Sequence, residues 1–119
     1  MEPSNNADSK HLYIVWTNAD PITSQNMVFM YATNSMKNAW WDQVTVVIWG
    51  ATQPLLCENE TIRAGMEDAR SAGVEFSACL TCADILGTTE PLRAMGLEVI
   101  RWGKKLSDLL QSGAHVLTV

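Results

Sequence analysis

The fold of this chain is decided by the stretch Val74-Glu75-Phe76-Ser77-Ala78-Cys79-Leu80-Thr81-Cys82-Ala83-Asp84-Ile85-Leu86-Gly87, where a strand pattern runs into a helix start. Apolar and polar residues alternate over the first half of this stretch, which predicts a short buried strand. Thr81 and Asp84 have the spacing of a capping box, which predicts that a helix begins beside them. Two of the three cysteines, Cys79 and Cys82, therefore flank a predicted helix N-terminus.

This position has a chemical consequence for the two thiols. Unpaired backbone N–H groups and the positive end of the helix dipole favour a thiolate over a thiol. A cysteine at such a position can be a nucleophile near neutral pH. The alternative interpretation is structural, because free cysteine is often buried as a small apolar residue.

Strand and helix patterns alternate along the rest of the chain. Helices alternating with strands predict an α/β fold with a mostly parallel sheet, covered by helices on both faces and joined by right-handed crossovers. The last strand pattern closes a five-stranded sheet. The predicted strands cover residues 12–17, 44–50, 74–79, 97–102 and 115–119, and the predicted helices cover residues 22–38, 60–72, 81–87, 89–96 and 104–111.

Two further segments are predicted to reach the carboxyl edge of this sheet. Asn18-Ala19-Asp20 forms a turn, and Asp20 stands before Pro21 as an N-cap before a proline at the first helical position. Residues 51–59 are predicted to be a loop that contains Cys57. Ligand crevices of parallel sheets lie at this edge, so Cys79, the turn and Cys57 are expected to approach one another.

The bulk properties limit the possible functions. A length of 119 residues with 47% hydrophobic residues predicts one domain over residues 11–119, preceded by a flexible lead-in over residues 1–10. A net charge of −5 argues against direct nucleic-acid binding and anionic-membrane binding. The chain has neither a membrane-spanning apolar run nor a secretory signal pattern, so a cytoplasmic protein with reduced thiols is expected.

Other sites that could use the cysteine pair fit less well. A thioredoxin-like site is disfavoured because the Cys-x-x-Cys motif follows the third predicted strand and has no proline between its cysteines. Zinc lacks a second close pair of ligands, and no glycine-rich phosphate loop is present. His11 and His115 each precede a predicted strand and are interpreted as structural or solvent-facing. No metal and no cofactor are therefore expected.

The chain resembles the small DsrE/DsrF-like (DsrEFH-like) sulfur-relay proteins over nearly its whole length. The resemblance is carried by the order and spacing of short motifs rather than by any one of them. These motifs are the turn Asn18-Ala19-Asp20-Pro21, Val46-Val47-Ile48-Trp49-Gly50 followed by Pro54-Leu55-Leu56, Gly73-Val74-Glu75-Phe76-Ser77-Ala78-Cys79 and the closing Gly113-Ala114-His115-Val116-Leu117-Thr118.

The resemblance implies a three-layer α/β/α sandwich, assembly into a homo-oligomer (trimer or hexamer), and a persulfide on the cysteine that matches Cys79. Sulfur donor and acceptor proteins would be its partners. Cys82 and Cys57 depart from the family pattern, and Cys82 could serve as an auxiliary or resolving thiol. Cys79 and Cys82 are therefore the candidate catalytic residues. Two alternatives stay open: a non-catalytic binding module, and a dithiol redox protein that uses the same pair.

Overall fold

The structure is a computed structural model, and it describes residues 10–119. The predicted lead-in over residues 1–10 therefore lies outside the described residues, except for Lys10. The described chain forms an α/β fold around one five-stranded sheet.

All neighbouring strands of the sheet are parallel, and their order is β4-β3-β2-β1-β5. The predicted α/β class and the five parallel strands are confirmed. Strand β1 has the predicted length but begins one residue earlier, and the other four strands are shorter than the sequence patterns suggested, because pairing stops where the chain turns into a loop or a helix. Their bounds are β1 His11–Trp16, β2 Gln43–Ile48, β3 Glu75–Cys79, β4 Glu98–Ile100 and β5 His115–Thr118.

The helices lie in two layers, which gives the predicted α/β/α sandwich. Strands β1 to β4 follow one another across the sheet, so right-handed crossovers place the helices between them on one face. The chain then returns past β1 to reach β5, and its last helix lies on the other face. The helical segments are α1 Pro21–Thr23, a π-helical segment Ser24–Phe29, α2 Met30–Lys37, α3 Thr52–Glu58, α4 Glu60–Ser71, α5 Leu80–Leu86, α6 Thr89–Ala94 and α7 Gly103–Gln111.

The main core lies on the face that carries α1 to α6. Phe29 is at its centre, with ring centroids 5.0 Å from Trp16 and 5.8 Å from Phe76, both in edge-to-face geometry. Ile14 of β1 and Val46 of β2 point into the same core and are fully buried. Aromatic pairs of this geometry contribute about 1 kcal/mol each beyond the area that they bury.

The opposite face is only partly covered. Helix α7 packs over the carboxyl half of this face, where Val47, Cys79, Trp102 and Leu109 form a second, smaller core. The amino half of the same face carries polar side chains instead. A parallel sheet is ordinarily apolar on both faces, so this polar half is an exception to the usual pattern.

The first helical stretch begins as predicted but changes geometry. Asp20 is the N-cap, its carboxylate accepts the Thr23 N–H at 3.1 Å, and Pro21 follows at the first helical position. The apolar spacing of the predicted helix 22–38 places Val28, Ala32, Met36 and Ala39 on its buried side. The π-helical segment shifts the register, so that prediction is wrong in part: Phe29 joins Val28 and Ala32 in the core, and Ala39 lies beyond the helix with φ 56°.

Two other expectations are wrong. Residues 51–59 are not a loop, because α3 occupies Thr52–Glu58 and Pro54 lies in its first turn, where a missing N–H costs no hydrogen bond. The Thr81–Asp84 capping box is also absent: α5 begins at Leu80 with Cys79 as its N-cap, and the Asp84 carboxylate accepts the Thr89 hydroxyl at 2.6 Å. The strand runs into the helix without a connecting residue, so Thr81 is already inside the first turn.

Candidate functional site

An apolar cavity of about 760 Å³ lies beyond the carboxyl ends of β2 and β3. We call it the thiol cavity, because Cys79 and Cys82 both line it. The segment after β2 forms one wall, the first turns of α5 another, and Gly103 at the start of α7 a third. The ten lining residues include no charged side chain; the remaining ones are Trp49, Gly50, Ala51, Pro54, Thr81, Ile85 and Leu86.

Cys79 occupies the junction between β3 and α5. Its backbone is extended, and only 3% of its surface is exposed. The side chain packs with Val47 and Trp102 in the smaller core, on the α7 face of the sheet. Cys79 is therefore a sheltered thiol at the inner wall of the cavity, at the strand end where the sequence predicted it.

Cys82 is the third residue of α5 and is half-buried. Its Sγ accepts the backbone N–H of Gly50 at 3.3 Å. Gly50 follows β2 with φ 76°, a backbone conformation that strongly favours glycine. A hydrogen bond from a backbone N–H stabilises the negative charge of a thiolate more than it stabilises a neutral thiol. Cys82 is therefore both the more accessible thiol and the one with a hydrogen-bond donor directed at its sulfur.

Gln53 holds the frame of the thiol cavity together. Its side chain is fully buried, and its amide group donates to the carbonyl oxygens of Ile48 and Cys79, both at 3.1 Å. The Thr88 hydroxyl donates to the Gln53 Oε1 at 2.7 Å. One side chain thus joins the end of β2, the junction that carries Cys79 and the start of α6. No periodicity in the sequence indicated this role.

Cys57 is not part of the site. It lies in α3 and packs against the main core, and it is not among the residues that line the thiol cavity. Burial raises the pKa of the Cys57 thiol, and the Glu58 carboxylate raises it further. The Arg63 guanidinium lowers this pKa but does not cancel the rise. The expected approach of Cys57 and the Asn18-Ala19-Asp20 turn to this cavity is therefore not observed.

Two further features of residues 10–119 concern metal binding and the membrane. Within that range, no three His, Cys, Asp or Glu side chains are grouped so that they could hold a metal ion. No helix in the same range has both the length and the apolar character needed to cross a bilayer.

The comparisons with known proteins give the fold but no activity. The chain is similar to a solved structure, that of a conserved protein of unknown function, BT1422, from Bacteroides thetaiotaomicron. The TM-score is 0.89 and the identity 27%, over 92% of this chain and 95% of that one. No protein-family model matches the chain, and no curated protein matches it. The relation to sulfur-relay proteins therefore stays a prediction.

Proposed function

We propose that the protein is a sulfur-transfer protein that carries sulfane sulfur as a persulfide on the Cys79–Cys82 pair. The observation that carries the proposal is the hydrogen bond from the Gly50 N–H to the Cys82 sulfur inside the cavity that Cys79 also lines. The order of motifs along the chain, which resembles sulfur-relay proteins, supports it independently.

The chemistry needs only thiols. The Cys82 thiolate attacks the outer sulfur of a donor persulfide, R–S–SH, and a new S–S bond forms at Cys82. The S–S bond of the donor breaks, and the donor leaves as the thiolate R–S⁻. Repetition of this step by the Cys79 thiolate moves the outer sulfur to the sheltered position and regenerates Cys82. No external oxidant or reductant enters this balance.

The roles proposed for the two cysteines follow from their different burial. Cys82 is the more exposed thiol, so it first accepts sulfur from the donor. Cys79 is 3% exposed, so a persulfide there is shielded from water and from other thiols. The proposal therefore retains the Cys79 persulfide that the resemblance implies, and Cys82 is the thiol that delivers sulfur to Cys79.

Intact-protein mass spectrometry after incubation with sodium tetrasulfide, an inorganic polysulfide, tests the proposal. The native protein should gain the mass of one sulfur atom. Cys82→Ser should gain it at least about tenfold more slowly, because sulfur must then reach a buried thiol directly. The double variant Cys79→Ser/Cys82→Ser should gain none.

Cys57→Ser is the matched control, because Cys57 lies outside the cavity and its thiol pKa is raised. This variant should take up sulfur like the native protein. The absence of any adduct on the native protein, or an equal adduct on the double variant, would remove the proposal.

A second candidate function is favoured by the same pair of thiols. If the Cys79 thiolate attacks the inner sulfur of a Cys82 persulfide, a disulfide forms and hydrosulfide leaves. The protein would then release sulfide and need reduction by another thiol before the next cycle. Non-reducing peptide mapping after polysulfide treatment separates the two functions, because only the dithiol path leaves a Cys79–Cys82 disulfide.

A further inference from the structure

A second cavity, of about 420 Å³, lies on the α7 face of the sheet at the amino ends of β1 to β4. We call it the polar cavity. It shares no lining residue with the thiol cavity. The first residue of each of these four strands lines it, namely His11, Gln43, Glu75 and Glu98.

Two buried hydroxyl groups form its floor and fix the two carboxylates. Thr45 and Ser77 are 7% and 3% exposed. The Thr45 hydroxyl donates to the Glu75 Oε1 at 2.9 Å, and the Ser77 hydroxyl donates to the Glu98 Oε1 at 2.7 Å. The Trp102 indole N–H donates to the Ser77 Oγ at 2.8 Å, which locks that hydroxyl toward Glu98.

The carboxylates keep unused acceptor capacity. A carboxylate offers about four lone-pair sites, and within the described residues Glu98 accepts one hydrogen bond. Glu75 accepts from Thr45 and from the Gln43 amide at 3.2 Å. Both carboxylates can therefore accept further donors from a ligand.

The positively charged side chain of Lys105 lines the same cavity without forming an ion pair with either carboxylate. The Lys105 ammonium stands 4.8 Å from the centre of the Trp102 ring. Among residues 10–119, it makes no ion pair within 4 Å with Glu75 or Glu98, whereas the neighbouring Lys104 pairs with Asp108 at 2.9 Å. Opposite charges thus line one cavity and remain apart.

Histidine adds no charge to this set at neutral pH. Burial lowers the pKa of His11; Glu75 opposes this shift and Lys105 reinforces it. Its ring stacks on Tyr13 at 4.0 Å between centroids, and its Nε2 lies 2.8 Å from the Thr45 Oγ1. The cavity therefore presents two carboxylates, one ammonium and an aromatic wall.

We propose that the polar cavity binds a small zwitterion of the size of a free α-amino acid. Its ammonium group would lie against Glu98 and Glu75, and its carboxylate would face Lys105. A zwitterion can pair with the two carboxylates and with Lys105 at the same time. An amine without a carboxylate would be repelled by the Lys105 ammonium, and an acid without an amine would be repelled by the two carboxylates. Charge-assisted hydrogen bonds to both ends then supply the specificity.

Chemical shifts in ¹⁵N-labelled protein test this proposal, with each of the twenty standard L-amino acids added in turn. The Trp102 indole N–H reports on the cavity, because it donates to Ser77 in the floor. The Trp16 indole N–H is the internal control, since it donates to Ser24 and Asn18 on the other side of the sheet. At least one amino acid should move the Trp102 signal in a saturable way and leave Trp16 unchanged.

The decarboxylated amine and the deaminated acid of that amino acid should each bind at least about tenfold more weakly. Glu98→Gln and Lys105→Met should each raise the Kd for the amino acid by about tenfold or more, whereas Lys104→Met should leave it unchanged. The proposal is overturned if no amino acid moves the Trp102 signal, or if the amine or the acid binds as tightly as the parent. This experiment involves no sulfur chemistry, so its outcome is independent of the persulfide test.

Discussion

Gln53 is the residue on which the geometry of the thiol cavity depends most directly. Its Nε2 donates to two buried carbonyl groups and its Oε1 accepts from a buried hydroxyl, so both polar atoms of the amide are hydrogen-bonded. A buried polar network of this kind is rigid when complete and costly when broken. Its loss would remove one hydrogen-bond partner from each of three buried groups, the carbonyls of Ile48 and Cys79 and the hydroxyl of Thr88.

Gln53→Leu keeps the approximate shape of the side chain and removes its hydrogen bonds. We expect the free energy of unfolding to fall by about 3 kcal/mol, since each unsatisfied buried group costs about 1–3 kcal/mol and local relaxation recovers part of that. Urea denaturation should show a lower midpoint with an unchanged slope. Gln111→Leu is the control: Gln111 is exposed at the end of α7, and the change should stay within about 0.5 kcal/mol. Equal midpoints for the two variants would contradict the role given to Gln53.

The Asp20 cap should make the stability of the protein depend on pH. Hydrogen bonds from the Thr23 hydroxyl and the Thr23 N–H lower the pKa of the Asp20 carboxyl. A lowered folded-state pKa adds stability that is present above the unfolded pKa of about 3.9 and is lost as pH falls through the folded value.

The melting temperature of Asp20→Ala should therefore be lower than that of the native protein at pH 7 and at pH 5. The gap between the two proteins should narrow as the pH falls below about 4 and through the lowered folded-state pKa, because the carboxyl is protonated in both states only below that value. Circular dichroism at pH 7, 5 and 3 measures this gap. A gap that is constant or grows as the pH falls would show that the ionised carboxylate is not what stabilises the helix start.

Among the elements, the packing of α4 against the π-helical segment depends on one glycine. A Cβ atom at Gly65 would lie 3.0 Å from the Phe29 ring, which is itself held between Trp16 and Phe76. Glycine in a helix interior is ordinarily about 1 kcal/mol less favourable than alanine. The close approach of the Phe29 ring explains why glycine occupies position 65.

Gly65→Ala should therefore destabilise the protein by about 1–2 kcal/mol, because the steric strain exceeds the gain in helix propensity. Gly103→Ala is the matched comparison, since nothing lies within 4 Å of a Cβ there. It should be neutral or stabilising by up to about 1 kcal/mol. Urea denaturation of both variants checks the difference, and a stabilised Gly65→Ala would show that Phe29 is free to move.

The elements also show where sequence patterns fail. The sequence predicts a loop over residues 51–59 after the second strand, yet α3 occupies most of this segment and accommodates Pro54 in its first turn. The π-helical segment is likewise invisible to a pattern that assumes 3.6 residues per turn. It allows Val28 and Phe29, two neighbours in sequence, both to reach the core.

At the scale of the whole molecule, apolar side chains remain uncovered along the first helical stretch. Ile22 is 69% exposed, Met30 51% and Met27 37%. Contiguous exposed apolar residues are a feature of protein interfaces. They agree with the homo-oligomer that the resemblance to sulfur-relay proteins implies, and we propose that a second copy of the chain packs against this surface.

Sedimentation velocity should therefore show species heavier than the 13.1 kDa monomer. Met30→Glu should shift the population toward the monomer, because a charge is costly to bury in an apolar interface. Lys37→Glu is the control, an exposed residue farther along the same helix whose replacement should leave the mass unchanged. A native protein that sediments only at 13.1 kDa across the concentration range would contradict this assembly.

The sequence by itself determined the fold class and the position of the thiol pair. Apolar β-branched runs such as Val44–Ile48, alternating with helical patterns, leave a parallel sheet as the simplest solution, and Cys79 follows its third strand. These features are local or periodic, so they can be read from neighbouring residues.

Only the tertiary structure decided which groups meet. Gly50 and Cys82 are 32 residues apart, and Gln53 is 26 residues from Cys79 and 35 from Thr88. The polar cavity depends on the same effect, because it gathers the first residues of four strands on the half-face that α7 leaves open. Contacts of this kind are set by strand order and by which face a helix covers, and neither is encoded in a local pattern.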